Sequence, residues 1–197
     1  MGDNPIYPVV LRIPDDRRQL SGRAKVDFLR CFAREAVRRS AVYSGCRLDD
    51  LPITDKRVPL PAGGIHWSLS HKSAYVAGVC AAHPIGIDVE KVKPVDERLF
   101  HRVLDASEQR LAAAGDAELL FFRCWTAKEV VLKRMGVGLA GLSKCRIHAV
   151  TDERRLTVAY EKERFEVAQT FFDGHVAAVL QEAGERVEWH FDEADGG

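Results

Sequence analysis

Residues 84–92, Pro84-Ile-Gly-Ile-Asp-Val-Glu-Lys-Val92, decide how the rest of the chain is read. Ile85, Ile87 and Val89 alternate with Gly86, Asp88 and Glu90, so a strand here sends its apolar side chains into a core and both carboxylates out of one face. Two like charges two residues apart repel each other. A hard cation such as Mg2+, which takes carboxylate oxygens, is the natural remedy. The same G-x-D-x-E run also suits a solvated strand end beside a turn, so its neighbours must be weighed with it.

Two further β-rich runs lie just upstream, Ile65-His-Trp-Ser-Leu-Ser-His71 and Ala74-Tyr-Val-Ala-Gly-Val-Cys-Ala-Ala82. With residues 84–92 they predict three strands of an antiparallel sheet. Before them, prolines and paired glycines between Cys46 and Gly64 predict a long surface connection of the kind that often binds ligands. Ser21 is placed to cap a helix carrying Val26, Leu29, Phe32, Ala33, Ala36 and Val37 at three- and four-residue steps, ending near Ser44 and Gly45. A strand-like segment, Tyr7 to Ile13, opens the chain. Downstream, Lys91 to Glu97 reads as a hinge. Helices are expected at Glu97–Val103, Ala106–Ala114 and Ala117–Met135, the last stopped by Gly136 and Gly138, and residues 145–191 return to strands. The runs Tyr75-Val-Ala-Gly-Val79 and His175-Val-Ala-Ala-Val179 echo each other across about a hundred residues. The fold class expected is α+β: two similar lobes, 1–90 and 91–197, each an antiparallel sheet packed with helices.

With 46% hydrophobic and 29% charged residues and no apolar run of eighteen, the chain reads as a folded, non-membrane protein. Prolines and charges occupy the place where a signal peptide needs its apolar stretch, so a cytoplasmic location is expected. Five separated cysteines without a C-x-x-C pair argue against a disulfide framework and a zinc ribbon. Lys plus Arg and Asp plus Glu are equal at 29 each, so no overall field points to nucleic acid. Locally, Arg17 to Arg39 is basic, which suits a surface for an acidic partner or a phosphate-rich ligand and a solvated helix face equally.

Two more stretches carry chemical groups. In Trp125-Thr-Ala-Lys-Glu-Val-Val-Leu-Lys133, Glu129 and Lys133 stand four residues apart on one helix face. In Trp67-Ser-Leu-Ser-His71, followed by Lys72, a strand end places Ser70 and His71 where a loop begins, a usual site of ligand contacts.

Taken together, S-L-S-H, G-I-D-V-E-K and W-T-A-K-E-V-V-L-K, in this order and spacing, resemble the signature of the 4'-phosphopantetheinyl transferases of the Sfp type. The likeness runs from about Lys56 to Leu142. It implies a pseudo-twofold monomer that moves the phosphopantetheine arm of coenzyme A onto a serine of an acyl or peptidyl carrier protein, releasing adenosine 3',5'-bisphosphate. By match to the family's motifs, Asp88, Glu90 and Glu129 would hold Mg2+ at the pyrophosphate. Ser70, His71, Lys128 and Lys133 would meet coenzyme A. The family's upstream basic residue falls on Lys56, with Arg57 as its neighbour and substitute. Ser68 stands where the family commonly has asparagine.

The chemistry of such residues agrees with that reading. Attack on a pyrophosphate spreads negative charge over several oxygens, so preset cations matter more than a covalent nucleophile. The attacking serine needs a general base, for which Glu129 or a water on the metal is the candidate, with Lys133 as the second catalytic group. A Mg2+-dependent phosphohydrolase would use the same carboxylates but leaves S-L-S-H and W-T-A-K-E unexplained. An inert carrier-binding module leaves the retained carboxylates unexplained. A carrier protein, acidic as a class, is expected to dock on the Arg17–Arg39 segment or on the helices from Glu97 to Ala114.

Overall fold

The computed structural model describes residues 5–72, 74–110 and 116–192. In chain order the elements are β1 (Val9–Arg12), α1 (Asp15–Arg18), α2 (Gly22–Tyr43), β2 (His66–Lys72), β3 (Tyr75–Ala81), β4 (Ile87–Lys91), α3 (Glu97–Val103), α4 (Ala106–Arg110), α5 (Ala117–Met135), and then β5 (Cys145–Asp152), β6 (Arg155–Tyr160), β7 (Glu163–Phe172), β8 (His175–Gln181) and β9 (His190–Asp192). The mixed α+β content matches the expectation. Of the helix expected over 106–114, the part beyond Arg110 lies outside the described residues. Among the described residues no helix is long and apolar enough to cross a membrane.

Sheet membership differs from the expectation. β2, β3, β1 and β9 form one sheet, in that order, and β4, β8, β7, β6 and β5 the other. The run 84–92 therefore leaves its upstream neighbours and pairs antiparallel with β8, Asp88 opposite Ala178 and Glu90 opposite Val176. The boundary expected at residues 90 and 91 falls inside β4. From the far end of the chain, β9 returns to pair parallel with β1, so sheet membership does not divide the chain at residue 90. The two echoing segments are β3 and β8, both interior strands.

Each helix lies where small residues let it. On α2 the buried positions Ala33, Ala36, Val37, Ser40 and Ala41 recur at three- and four-residue steps. This stripe approaches β3 so closely that a Cβ at Gly78 would lie 2.4 Å from the Val37 nitrogen. Val26, expected in that stripe, is 50% exposed and lines an open cleft on the same helix face as Arg30 and Arg34. Ser21 takes the N-cap position with extended backbone, but its hydroxyl makes no capping bond. The C-terminal end is as expected, with Gly45 at φ 65°.

α5 is the central element. Asp116 caps it, accepting from the Glu118 and Leu119 amides at 2.9 and 3.0 Å, and Gly136 ends it in the left-handed conformation. Phe121, Cys124, Ala127, Val130 and Val131 bury it in one core, shared with Val10, Ala77 and Val79 of the first sheet and Ile87, Val176 and Val179 of the second. Alternation on β1 sends Val10 into this core and Val9 and Leu11 against α2.

β4 reaches α5 through Gly86, where a Cβ would stand 2.1 Å from the Val130 carbonyl oxygen. No side chain fits there without moving backbone. Gly86→Ala is expected to destabilise the protein by about 1 to 3 kcal/mol, read as a lower midpoint in chemical denaturation. An unchanged midpoint would show that β4 does not approach α5 this closely.

Candidate active site

β2 and β4 are edge strands of the two sheets, and edges leave backbone groups without ladder partners. Here the two edges face one another and side chains close the seam. The Ser68 hydroxyl accepts from the Ile87 amide at 3.2 Å. The Ser70 hydroxyl donates to Asp88 Oδ1 at 2.7 Å. Lys133, reaching over from α5, donates to the Ile87 carbonyl and to Asp88 Oδ1, both at 2.8 Å, and lies 3.4 Å from the Leu69 carbonyl. The serine that stands in place of the family's asparagine thus ties the two sheets together.

Asp88 is the hub of this arrangement. It is 5% exposed, with Oδ1 engaged by Ser70 and Lys133 while buried Oδ2 has no hydrogen-bond partner. Two residues along β4, Glu90 meets the Lys72 ammonium at 2.9 Å. Glu129, one turn before Lys133 on α5, completes a set of three carboxylates that feel one another. Burial raises the Glu129 carboxyl above the usual range, and the charges of Asp88 and Glu90 add to that against Lys133. Burial likewise raises Glu90, with Asp88 adding to it and Lys72 opposing. Among the described residues no group of three or more Asp, Glu, His or Cys side chains is drawn together as a metal cage. The donor set nevertheless fits a hard divalent cation: three oxygen ligands, surplus negative charge and one buried carboxylate oxygen left open.

The raised Glu129 has a testable sign. An acid whose folded pKa lies above its unfolded value holds more protons folded than unfolded in between, so its contribution to stability worsens as pH rises through that window. In metal-free buffer, Glu129→Gln is expected to be more stable than the wild type at pH 7, and the gain to shrink as pH falls toward 4.5, the ordinary glutamate value. Thermal midpoints of both proteins across that range check it; a pH-independent difference would separate Glu129 from the other two carboxylates.

Beside the seam opens a cleft of about 580 Å³ whose lining includes Lys56, Arg57, His71, Lys133, Arg30 and Arg34. Its apolar wall includes Pro59, Leu60, Ile85 and Leu132. Lys56 and Arg57 are presented by a tight turn in which Arg57 N–H donates to the Thr54 carbonyl at 2.8 Å and Val58 N–H to the Thr54 hydroxyl at 3.1 Å. The turn holds Arg57 at φ 63°, a left-handed conformation that suits glycine. His71 keeps an exposed face, yet burial first and the Lys133 ammonium second lower its imidazole below the ordinary value, which favours the neutral ring near pH 7.

The structure brings Lys56, Arg57, His71 and Lys133 together along one cleft, and Asp88, Glu90 and Glu129 beside it. Two expected coenzyme A contacts lie elsewhere. Ser70 is buried and its hydroxyl belongs to Asp88. Lys128 is 1% exposed, with its ammonium held by the Val103 carbonyl at 2.6 Å and by Glu108 at 2.8 Å. One residue before Glu129, it is turned about 100° around the helix and faces α3 and α4 instead of the cleft.

Glu108 was not anticipated, although a signal for it exists. Asp105-Ala-Ser-Glu108 is a capping box: Glu108 N–H donates to Asp105 at 3.0 Å and Asp105 N–H to Glu108 at 2.8 Å. Arg30 and Arg34, in the segment expected to meet an acidic partner or a phosphate-rich ligand, line the cleft, with Arg34 5.7 Å above the Trp67 ring. Lys72 was seen beside the S-H pair without a role, and here it neutralises Glu90.

The sequence profile of the 4'-phosphopantetheinyl transferase superfamily matches residues 84–183, β4 through β8 and a little over half of the chain. The 4'-phosphopantetheinyl transferase psf-1 of Bacillus pumilus is 37% identical over 82 residues, 40% of this chain and 35% of the relative. The 4'-phosphopantetheinyl transferase Sfp of Bacillus subtilis (strain 168) is 32% identical over 78 residues, 38% of this chain and 35% of the relative. The 4'-phosphopantetheinyl transferase gsp of Aneurinibacillus migulanus is 30% identical over 78 residues, 38% of this chain and 33% of the relative. These matches thus span about a third of each relative's length. With the family's profile covering a little over half of the chain, including β4 with Asp88 and Glu90 and α5 with Glu129 and Lys133, the chain belongs to the 4'-phosphopantetheinyl transferase superfamily.

Proposed function

We propose that this protein transfers the 4'-phosphopantetheine group of coenzyme A to a serine hydroxyl of an acyl or peptidyl carrier protein, with Mg2+, leaving adenosine 3',5'-bisphosphate. The observation that carries this reading is the adjacency of two unlike surfaces. A cleft lined by Lys56, Arg57, His71 and Lys133 suits a ligand with several phosphates. Beside it three mutually repelling carboxylates suit the cation that such a pyrophosphate brings.

In this reading Asp88, Glu90 and Glu129 hold the metal, which supplies Lewis-acid charge to the phosphoryl oxygens. Lys133 keeps positive charge at the reacting phosphate while fixing Asp88. His71, neutral and partly exposed, donates a hydrogen bond to a phosphate oxygen. Lys56 and Arg57 take the far, phosphate-bearing end of the nucleotide. Glu129 receives the serine proton. The apolar wall of Pro59, Leu60 and Leu132 excludes water from the pyrophosphate. The acidic carrier approaches the remaining basic face of α2 or the α3–α4 side.

Intact mass spectrometry of an apo acyl carrier protein incubated with this protein, coenzyme A and Mg2+ tests the proposal. One phosphopantetheine gained on the carrier, and none in EDTA, is the expected result. No gain on any of several carriers, with coenzyme A still bound, would overturn the transferase reading in favour of a binding module. Hydrolysis of coenzyme A without a carrier would favour a phosphohydrolase.

Arg57 offers a second check, because its two roles oppose one another. Arg57→Gly is expected to raise stability by about 1 kcal/mol through relief of the left-handed backbone while weakening binding of adenosine 3',5'-bisphosphate about tenfold through loss of a charged contact. Calorimetric titration with a parallel thermal melt would separate the two. Unchanged affinity would remove Arg57 from the nucleotide site.

A further inference from the structure

Beneath the C-terminal end of α2, away from the seam, two thiols lie in contact. Cys46 Sγ and Cys80 Sγ are 3.8 Å apart. Cys46 follows the end of α2, its amide fixed to the Ala41 carbonyl at 2.9 Å. Cys80 sits on β3, its amide held by the Ser40 hydroxyl at 3.0 Å and its sulfur 3.7 Å from the same hydroxyl. Ser44 adds a further contact to that sulfur at 3.8 Å. One thiol is partly exposed and the other buried. Both are anchored to ordered backbone, so they meet persistently instead of by chance. The remaining thiols lack this arrangement: Cys31 is exposed on α2, and Cys124 and Cys145 are buried in the main core.

We propose that Cys46 and Cys80 form a dithiol site that exchanges with low-molecular-weight disulfides and closes to a Cys46–Cys80 bond. The accessible thiolate of Cys46 attacks the small disulfide, forming a mixed disulfide and releasing one thiolate. Cys80, losing its proton, then attacks the Cys46 sulfur and expels the second thiolate. The protein dithiol gives up two electrons and two protons, and the small disulfide becomes two thiols. Burial pushes the Cys80 thiol up to about 11, which makes the second step the slow one and the mixed disulfide an observable precursor. Closure shortens the sulfur separation to about 2 Å. It tethers to β3 the head of the 46–64 segment, whose turn presents Lys56 and Arg57 to the cleft.

The test treats the full chain with glutathione disulfide at pH 8, quenches with acid, and maps the products by intact mass and by peptide analysis without reductant. The expected course is a glutathione adduct at Cys46 that gives way to a loss of the mass of two hydrogen atoms and a cross-linked pair of peptides carrying Cys46 and Cys80. Exposed Cys31 serves as the reference and should keep its adduct. In Cys80→Ala the Cys46 adduct should persist. If that variant folds poorly, the wild-type map still decides. A lasting adduct on wild-type Cys46, or a Cys46 that stays free while Cys31 reacts, would overturn the proposal.

Discussion

Asp88→Asn is expected to lower the rate of carrier modification by about a thousandfold or more, roughly 4 kcal/mol of transition-state stabilisation, with little loss of stability. Asparagine keeps the shape of aspartate and an oxygen able to accept from Ser70, so the seam between β2 and β4 stays closed. It removes the negative charge that fixes Lys133 and the open oxygen Oδ2, a buried carboxylate atom without a hydrogen-bond partner. Both the proposed metal ligand and the orientation of the lysine are lost together, and such paired losses are not additive. The measurement is the initial rate of mass gain on the carrier at saturating Mg2+, beside a denaturation curve. A variant that retains its rate would remove Asp88 from the metal site and with it the reading of β4.

The second large effect concerns stability and the other side of α5. Lys128→Ala is expected to cost about 3 to 5 kcal/mol, because it strands the Glu108 carboxylate in the core without its counterion. Glu108 also accepts from the Ile147 amide at 2.6 Å, so it cannot swing out to water without breaking the junction of α4 with β5. Replacing both partners with apolar residues of similar volume, Lys128→Met with Glu108→Leu, should recover part of the loss. Recovery should be incomplete, since the Asp105 and Ile147 amides then lack their acceptor. Nucleotide affinity per folded molecule should be unchanged in the single variant. A stable Lys128→Ala with weakened nucleotide binding would return Lys128 to the phosphate site, against its present geometry.

These two lysines mark what sequence conveys and what it omits. Glu129 and Lys133 share a helix face by spacing alone, and the structure sets them beside the same carboxylate. Lys128 sits in the same motif but a quarter-turn away, and a motif read as a unit lends it the same ligand. Deciding otherwise required knowing that α4 packs there with Glu108, a contact between segments twenty residues apart. The alternation of β4 was legible, and so was the direction of its carboxylates. Its partner was not, because β8 lies about ninety residues further on and strand pairing leaves no local signature when both faces are buried. α2 could be read on its inner face, where Ala33, Ala36 and Val37 keep helical spacing. Its outer arginines suited a solvated face as well as a partner or a phosphate-rich ligand, and only the 46–64 segment, which forms the opposite wall of a cleft around Arg30 and Arg34, decides their setting.

The parallel pairing of β1 with β9 bears on the order in which the molecule can be assembled. Residues 9–12 are made well before residues 190–192, so when β3 has already emerged to pair with one edge of β1 the other edge still waits for its hydrogen bonds. During synthesis the nascent chain therefore carries an unpaired, apolar strand edge, with Val9, Val10 and Leu11 at it, until nearly all the second sheet has emerged. Chains cut before β9 are expected to associate through that edge, so β9 acts as a seal on β1.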